Sequence, residues 1–233
     1  IQRSIGATCP AVDVMAACTS FIFAVHHATA VIESGRAKRV LVIGADALSR
    51  HVDFTDRATC VLFGDGAGAV VLEASEEAGV LGIDLGTDGS GFEVLTIPAG
   101  GSAAPCTPER VAAGEQFVRM AGSEVFKFAV RVIPETTQRA LEGSGLSVGD
   151  LAWLVPHQAN QRILATVAER LGMPAERVFS NIASVGNTSA ASIPLALNDL
   201  YTDGQLKPGD VLALVGFGAG LTWGAAIVRW TKG

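Results

Sequence analysis

Two stretches of this chain follow one plan. Cys18 stands 17 residues before Gly35, and Asn187 stands 17 residues before Gly204. Each stretch reads as a loop, an apolar helix, a glycine, a basic residue and a buried strand. The strands are Val40-Leu41-Val42-Ile43-Gly44 and Val211-Leu212-Ala213-Leu214-Val215-Gly216. A Gly-rich turn and another strand follow each time, GDGAGAVVLE in one case and GFGAGLTWGAAIV in the other. Repetition at this scale points to two related half-units packed about a pseudo-dyad. Such symmetry would bring the two helix N-termini, and with them Cys18 and Asn187, toward one central place. Chance similarity in a Gly- and Ala-rich chain is the competing explanation.

The remaining pattern fits strands alternating with helices. Cys18 to Ser34 is apolar nearly all round, as expected of a buried helix, and Gly35 suits its C′ position. Ala11 to Met15, Ala69 to Leu72, Leu151 to Val155 and Thr222 to Trp230 read as further strands. Ser123 to Glu142 reads as a helix broken or kinked at Pro134. Asn160 to Leu171 is an amphipathic helix ended by Gly172 and Pro174. Residues 86–116 are rich in Gly, Ala, Pro and Ser and read as a linker or loop. The expected organisation is an α/β fold with a mainly parallel sheet: residues 1–85 as one half, 86–116 as the connection and 117–233 as the other half.

Composition narrows the function classes. With 49% hydrophobic and 17% charged residues in 233, the chain has ample material for a core and is too apolar for disorder. The net charge of −6 argues against a general nucleic-acid binder. No apolar run is long enough to span a membrane, and no basic segment followed by an apolar one marks a secretory signal. The four cysteines have no CxxC spacing and are too sparse for a disulfide scaffold. A reduced, cytoplasmic protein without a metal site is the expectation.

Cys18 is expected where a strand turns into a helix. Oriented N–H groups and the helix dipole stabilise a thiolate there, which predicts a lowered cysteine pKa. His157 follows Trp153-Leu154-Val155-Pro156, so it is expected at a strand's C-terminal end, where the functional groups of α/β sheets gather. Asn187 lies in a capping sequence, and capping alone would explain it. A cysteine nucleophile, a histidine and an amide donor at one point form a set suited to thioester chemistry. His26, His27 and His51 lack a partner at ligand spacing and read as structural. The turns GFGAG and GDGAG precede strands rather than helices, which argues against a dinucleotide or P-loop site.

Five motifs taken together resemble the β-ketoacyl-acyl carrier protein synthase III family of the thiolase superfamily. They are Asp13-Val14-Met15-Ala16-Ala17-Cys18, Gly64-Asp65-Gly66-Ala67-Gly68, Val155-Pro156-His157-Gln158-Ala159-Asn160, Gly186-Asn187-Thr188-Ser189-Ala190-Ala191-Ser192 and Gly218-Ala219-Gly220-Leu221-Thr222-Trp223-Gly224. The resemblance covers essentially the whole chain and leaves out the family's N-terminal portion. It implies a thiolase-like five-layered αβαβα architecture in two halves, the first incomplete, and a homodimer. It also implies decarboxylative condensation of a short acyl-CoA with malonyl-acyl carrier protein, starting fatty-acid or polyketide chains, with no cofactor. Cys18, His157 and Asn187 would be catalytic, and the backbone N–H groups of Cys18 and Ala219 would form the oxyanion hole. Arg57 matches a position that contacts CoA. Phe63, Met120, Phe126, Ala159 and Ile163 match tunnel-lining positions, and Lys127, Gln158 and Arg162 match positions that meet the acyl carrier protein. Thr19-Ser20 and Ala219 depart from the family, which often has smaller residues there. A non-decarboxylating acyltransferase on the same scaffold and a catalytically inactive carrier-binding partner subunit are the alternatives.

Overall fold

The computed structural model describes residues 1–77 and 79–232. In chain order the elements are α1 (Ser20–Glu33), β1 (Arg39–Ala47), β2 (Asp65–Glu73), β3 (Val80–Thr87), β4 (Leu95–Thr96), α2 (Pro108–Ala112) and β5 (Arg119–Met120). They continue with α3 (Gly122–Ser144), β6 (Trp153–Pro156), α4 (Gln161–Leu171), α5 (Ile182–Val185), α6 (Ser192–Thr202), β7 (Val211–Gly218) and β8 (Thr222–Arg229). Ala11–Met15, expected as a strand, is irregular chain outside any sheet.

The larger sheet has the order β3-β8-β7-β6 and a smaller one pairs β1 with β2. Side-chain alternation explains how the larger sheet is covered on both faces. Along β7, Ala213 and Val215 pack with α3 and α4, while Leu212 and Leu214 pack with α1 and α6. Two apolar faces require a continuous aliphatic run, which is what Val211–Val215 supplies. Helix α1 buries Phe21, Ile22, Val25 and Ala28. It and α6 share one core with Val42 of β1 and with Val40, Val70 and Leu72. The layers therefore run α3/α4, larger sheet, α1/α6, β1-β2: four of the five expected αβαβα layers. The outer face of β1-β2 presents Leu41 and Val71 to solvent, 45% and 62% exposed.

Three expectations are corrected. The larger sheet is mixed rather than mainly parallel: among the described strands only β6-β7 is a parallel pair, while β1-β2, β3-β8 and β7-β8 are antiparallel. The turn Ala219–Leu221 is too short for a crossover, so β8 folds straight back on β7. Val80–Thr87 pairs with β8, which places residues 80–85 with the second half rather than the first. Residues 86–116 are no simple linker, since β4 pairs with β5 and Ala99 N–H donates to the Glu115 carbonyl at 2.9 Å.

Helix α3 runs unbroken through Pro134. Proline lacks the N–H that would have bonded the carbonyl four residues back. That carbonyl, on Val130, instead accepts from Arg170 Nη1 of α4 at 2.9 Å. Among the described residues, no helix is long and apolar enough to cross a membrane, and no cluster of three or more His, Cys, Asp or Glu is arranged to hold a metal ion.

Candidate active site

The helix repeat carries the site, but in a different register from the spacing of 17. A single 3-10 turn, Ala17–Thr19, precedes α1, and a matching turn, Ser189–Ala191, precedes α6. Each opens on a non-glycine residue at positive φ, Ala17 at 49° and Ser189 at 51°. Helix α6 has 11 residues against 14 in α1, so counting back from the glycines runs three residues past the true match. Ala17 corresponds to Ser189, and Cys18 to Ala190. Asn187 lies just outside the repeated turn.

Positive φ costs an L-residue about 1 kcal/mol or more, and the surrounding hydrogen bonds hold Ala17 there. Ser20 Oγ accepts from Ala16 N–H at 2.8 Å and donates to the Ala17 carbonyl at 2.7 Å. Thr19 Oγ1 donates to the Ala16 carbonyl at 2.6 Å and lies 2.8 Å from Thr222 Oγ1, which also reaches the Ala219 carbonyl at 3.1 Å. Thr19 thus links the cysteine turn to the Ala219 turn through Thr222, while Ser20 braces the cysteine turn itself. At Gly218 a Cβ would stand 2.8 Å from the Cys18 backbone N, so only glycine lets strand and turn meet this closely.

His157 follows the last residue of β6, as expected, and its N–H donates to the Val215 carbonyl at 2.7 Å. The ring packs edge-on against Phe217, with centroids 5.9 Å apart. Its Nδ1 lies 2.7 Å from Ser192 Oγ. Asn187 is fixed by backbone pairing: its N–H donates to the Leu62 carbonyl and its own carbonyl accepts from Gly64 N–H, both at 2.8 Å. Its Oδ1 accepts from Ser189 N–H at 2.9 Å. The side-chain NH₂ is thereby left as the polar group of this residue without a protein partner among the described residues.

Cys18, His157 and Asn187 line one cavity of about 420 Å³. Phe63, Met120, Phe126, Ala159 and Ile163 line it too. Leu62, Leu95, Val125 and Phe217 add to its apolar lining; Leu95 was hidden in the segment read as a linker. Lys127 and Arg162 border the cavity. Lys127 Nζ is paired with Glu124 at 2.9 Å, and the Arg162 guanidinium lies 5.6 Å from the centre of the Phe126 ring. Arg57 is exposed and stands outside the cavity lining. Gln158 is a correction. It is fully buried, its NH₂ donates to the carbonyls of Pro156 and Phe179, and its Oε1 accepts from Asn181 N–H. It braces the His157 loop and has no surface to offer a carrier.

Electrostatics also depart from expectation. Burial pushes the Cys18 thiol up to about 11; the Ser189 hydroxyl works against this rise, and the Asp46 carboxylate adds to it. Desolvation of the thiolate outweighs the helix start. Burial pulls the His157 imidazole down to about 4. At neutral pH these three side chains are therefore a thiol, a neutral imidazole and an amide, none of them charged.

Comparison with known proteins places this geometry. The model of the 3-oxoacyl-[acyl-carrier-protein] synthase III family matches residues 12–89, and that of its C-terminal part matches residues 141–230. A β-ketoacyl-[acyl-carrier-protein] synthase III of Desulfitobacterium hafniense is 52% identical over 221 residues, covering 94% of this chain and 67% of that relative. The chain belongs to the 3-oxoacyl-[acyl-carrier-protein] synthase III family. The synthase III crystal structure from Thermus thermophilus superposes with a TM-score of 0.91 at 45% identity, covering all of this chain and 71% of the other. The priming β-ketosynthase of the R1128 polyketide pathway superposes with a TM-score of 0.90 at 36% identity, over 99% and 69% of the two chains. The fold of the synthase III family is thus the fold of this chain.

Proposed function

We propose that the chain catalyses decarboxylative condensation of an acyl-CoA with a malonyl-acyl carrier protein, through an acyl group carried on Cys18. The observation that carries the reading is the shared cavity: a buried thiol, a neutral imidazole and a side-chain amide line one largely apolar space. In the first step the Cys18 sulfur bonds to the acyl carbonyl carbon, and the CoA sulfur leaves with the thiol proton. The backbone N–H groups of Cys18 and Ala219 receive the oxyanion of the tetrahedral intermediate.

In the second step the malonyl thioester occupies the same cavity. Its C–CO₂ bond breaks and the electron pair moves into the thioester, forming an enolate. His157 and Asn187 donate hydrogen bonds to that oxygen; a neutral donor in a water-excluded site stabilises developing charge strongly. The carbanion then bonds to the acyl carbon, the C–S bond breaks, and the Cys18 thiolate takes up a proton. Fatty-acid or polyketide chain initiation is the pathway class that uses such a product. Lys127 and Arg162 at the rim suit an acidic carrier, Arg57 suits the phosphate-bearing end of CoA, and a homodimer is the assembly the family suggests. The protein works without a cofactor, in the cytoplasm, and uses no nucleic acid.

The test is CO₂ release from malonyl-carrier with acyl-CoA present. Condensation predicts CO₂ and 3-oxoacyl-carrier in equal amounts. Acyl transfer without CO₂ would replace this reading with the non-decarboxylating one.

A further inference from the structure

The neutral His157 ring has one N–H, and its role depends on which nitrogen carries it. A donor to an enolate oxygen must be Nε2–H, which requires Nδ1 to accept. Ser192 Oγ is the partner of Nδ1, at 2.7 Å, and no other group among the described residues reaches that nitrogen. The same hydroxyl also lies 2.8 Å from the Ser189 carbonyl. A hydroxyl has a single proton, so it serves one acceptor at a time. The Ser189 carbonyl already accepts the backbone N–H of Ser192, so it does not need the hydroxyl. Nδ1 has no other partner, so the direction of this one hydroxyl proton sets the tautomer, and a carbonyl already satisfied leaves that proton to Nδ1.

We propose that Ser192 is a positioning residue that donates its hydroxyl proton to His157 Nδ1 and so holds the imidazole as the Nε2–H tautomer facing the cavity. Ser192 itself is sealed from solvent and touches no reacting atom. It is the first residue of α6, so the helix start of the second half sets the hydrogen-bonding sense of a side chain delivered by β6. If the hydroxyl turned to the Ser189 carbonyl, Nδ1 would have to donate, and a bare Nε2 would repel the enolate. Asp46 supports the arrangement from the first half: its Oδ2 accepts from Ala190 N–H at 3.0 Å and fixes the turn that carries Ser192.

This inference rests on the donor role given to His157 above, and its test separates the two. Nitrogen-15 NMR of histidine-labelled intact protein reads the tautomer without turnover. The expected wild-type spectrum at pH 7 shows Nε2 protonated and Nδ1 bare. In Ser192→Ala the two tautomers mix, acyl loading of Cys18 by acyl-CoA stays within about threefold, and CO₂ release falls about tenfold. Ser192→Thr keeps a hydroxyl and restores the tautomer and most of the rate. A wild-type ring protonated at Nδ1 overturns the inference, whatever the variants do. So does a Ser192→Ala protein with unchanged tautomer and CO₂ release. An Nε2–H ring in a protein whose His157→Ala variant condenses normally would leave the inference standing and remove the donor reading instead.

Discussion

The two halves of this molecule share a plan and differ in what they bring. In the proposed reaction the first supplies the sulfur, on a strained Ala17 turn ahead of α1. The second supplies the donors, His157 after β6 and Asn187 before the α6 turn, together with Ser192. They also differ in cover. The four-stranded sheet is packed on both faces, while β1-β2 is packed on one and open on the other, with neither outer edge paired among the described residues. In the proposed reaction a repeated scaffold is thus divided into an attacking half and a stabilising half, with the stabilising half built on the better-packed sheet.

Substitutions sharpen this division. Cys18→Ala removes the attacking group and is expected to lower both acyl loading and condensation by more than about 10⁴-fold, read by adduct mass and CO₂ release. His157→Ala or Asn187→Ala removes one donor from the other half. CO₂ formation should fall about 10²–10³-fold while acyl loading stays close to wild type. Equal losses in both steps would erase the division of labour.

Stability tests the contrast in cover. Leu154, on β6, is fully buried in the core shared with α3 and α4. Leu154→Ala should cost about 2–5 kcal/mol in denaturant unfolding. Acid adds a signature of the second half. Because burial lowers the His157 pKa to about 4, the unfolded chain binds its proton first as pH falls. The contribution of neutral His157 is therefore intact above about pH 6.5, where the unfolded imidazole titrates, and is lost as pH drops toward 4. In His157→Gln the stability curve over that window should flatten. The Cys18 thiol acts at the other end: its raised pKa makes stability fall as pH climbs from about 9 toward 11. Val71→Ala, on the open face of β2, is expected to change stability by no more than about 0.5 kcal/mol.

Much of this was legible in the residues. A helix apolar on every side, two aliphatic runs ending in glycine and a Pro-His step after a short strand placed α1, β1, β7 and His157 near where they lie. What escaped depends on contacts between distant segments. The register of the repeat failed because α6 is one turn shorter than α1, which no spacing to a glycine reveals. The cysteine shift went the other way because burial is a property of the assembled layers, not of a helix start. Gln158 looks like a surface residue until the carbonyl of Phe179 and the N–H of Asn181 are seen to use its amide. Ser192 gave a faint signal in the Ser-Ala-Ala-Ser run, but its partner lies 35 residues away.

The central claim is tested most directly by intact mass spectrometry of Asn187→Ala, given acyl-CoA and then malonyl-carrier. Capture of one acyl group on Cys18, followed by failure to discharge it, is the predicted result. A protein that takes no acyl group at all, or one that discharges it as fast as wild type, would contradict the claim.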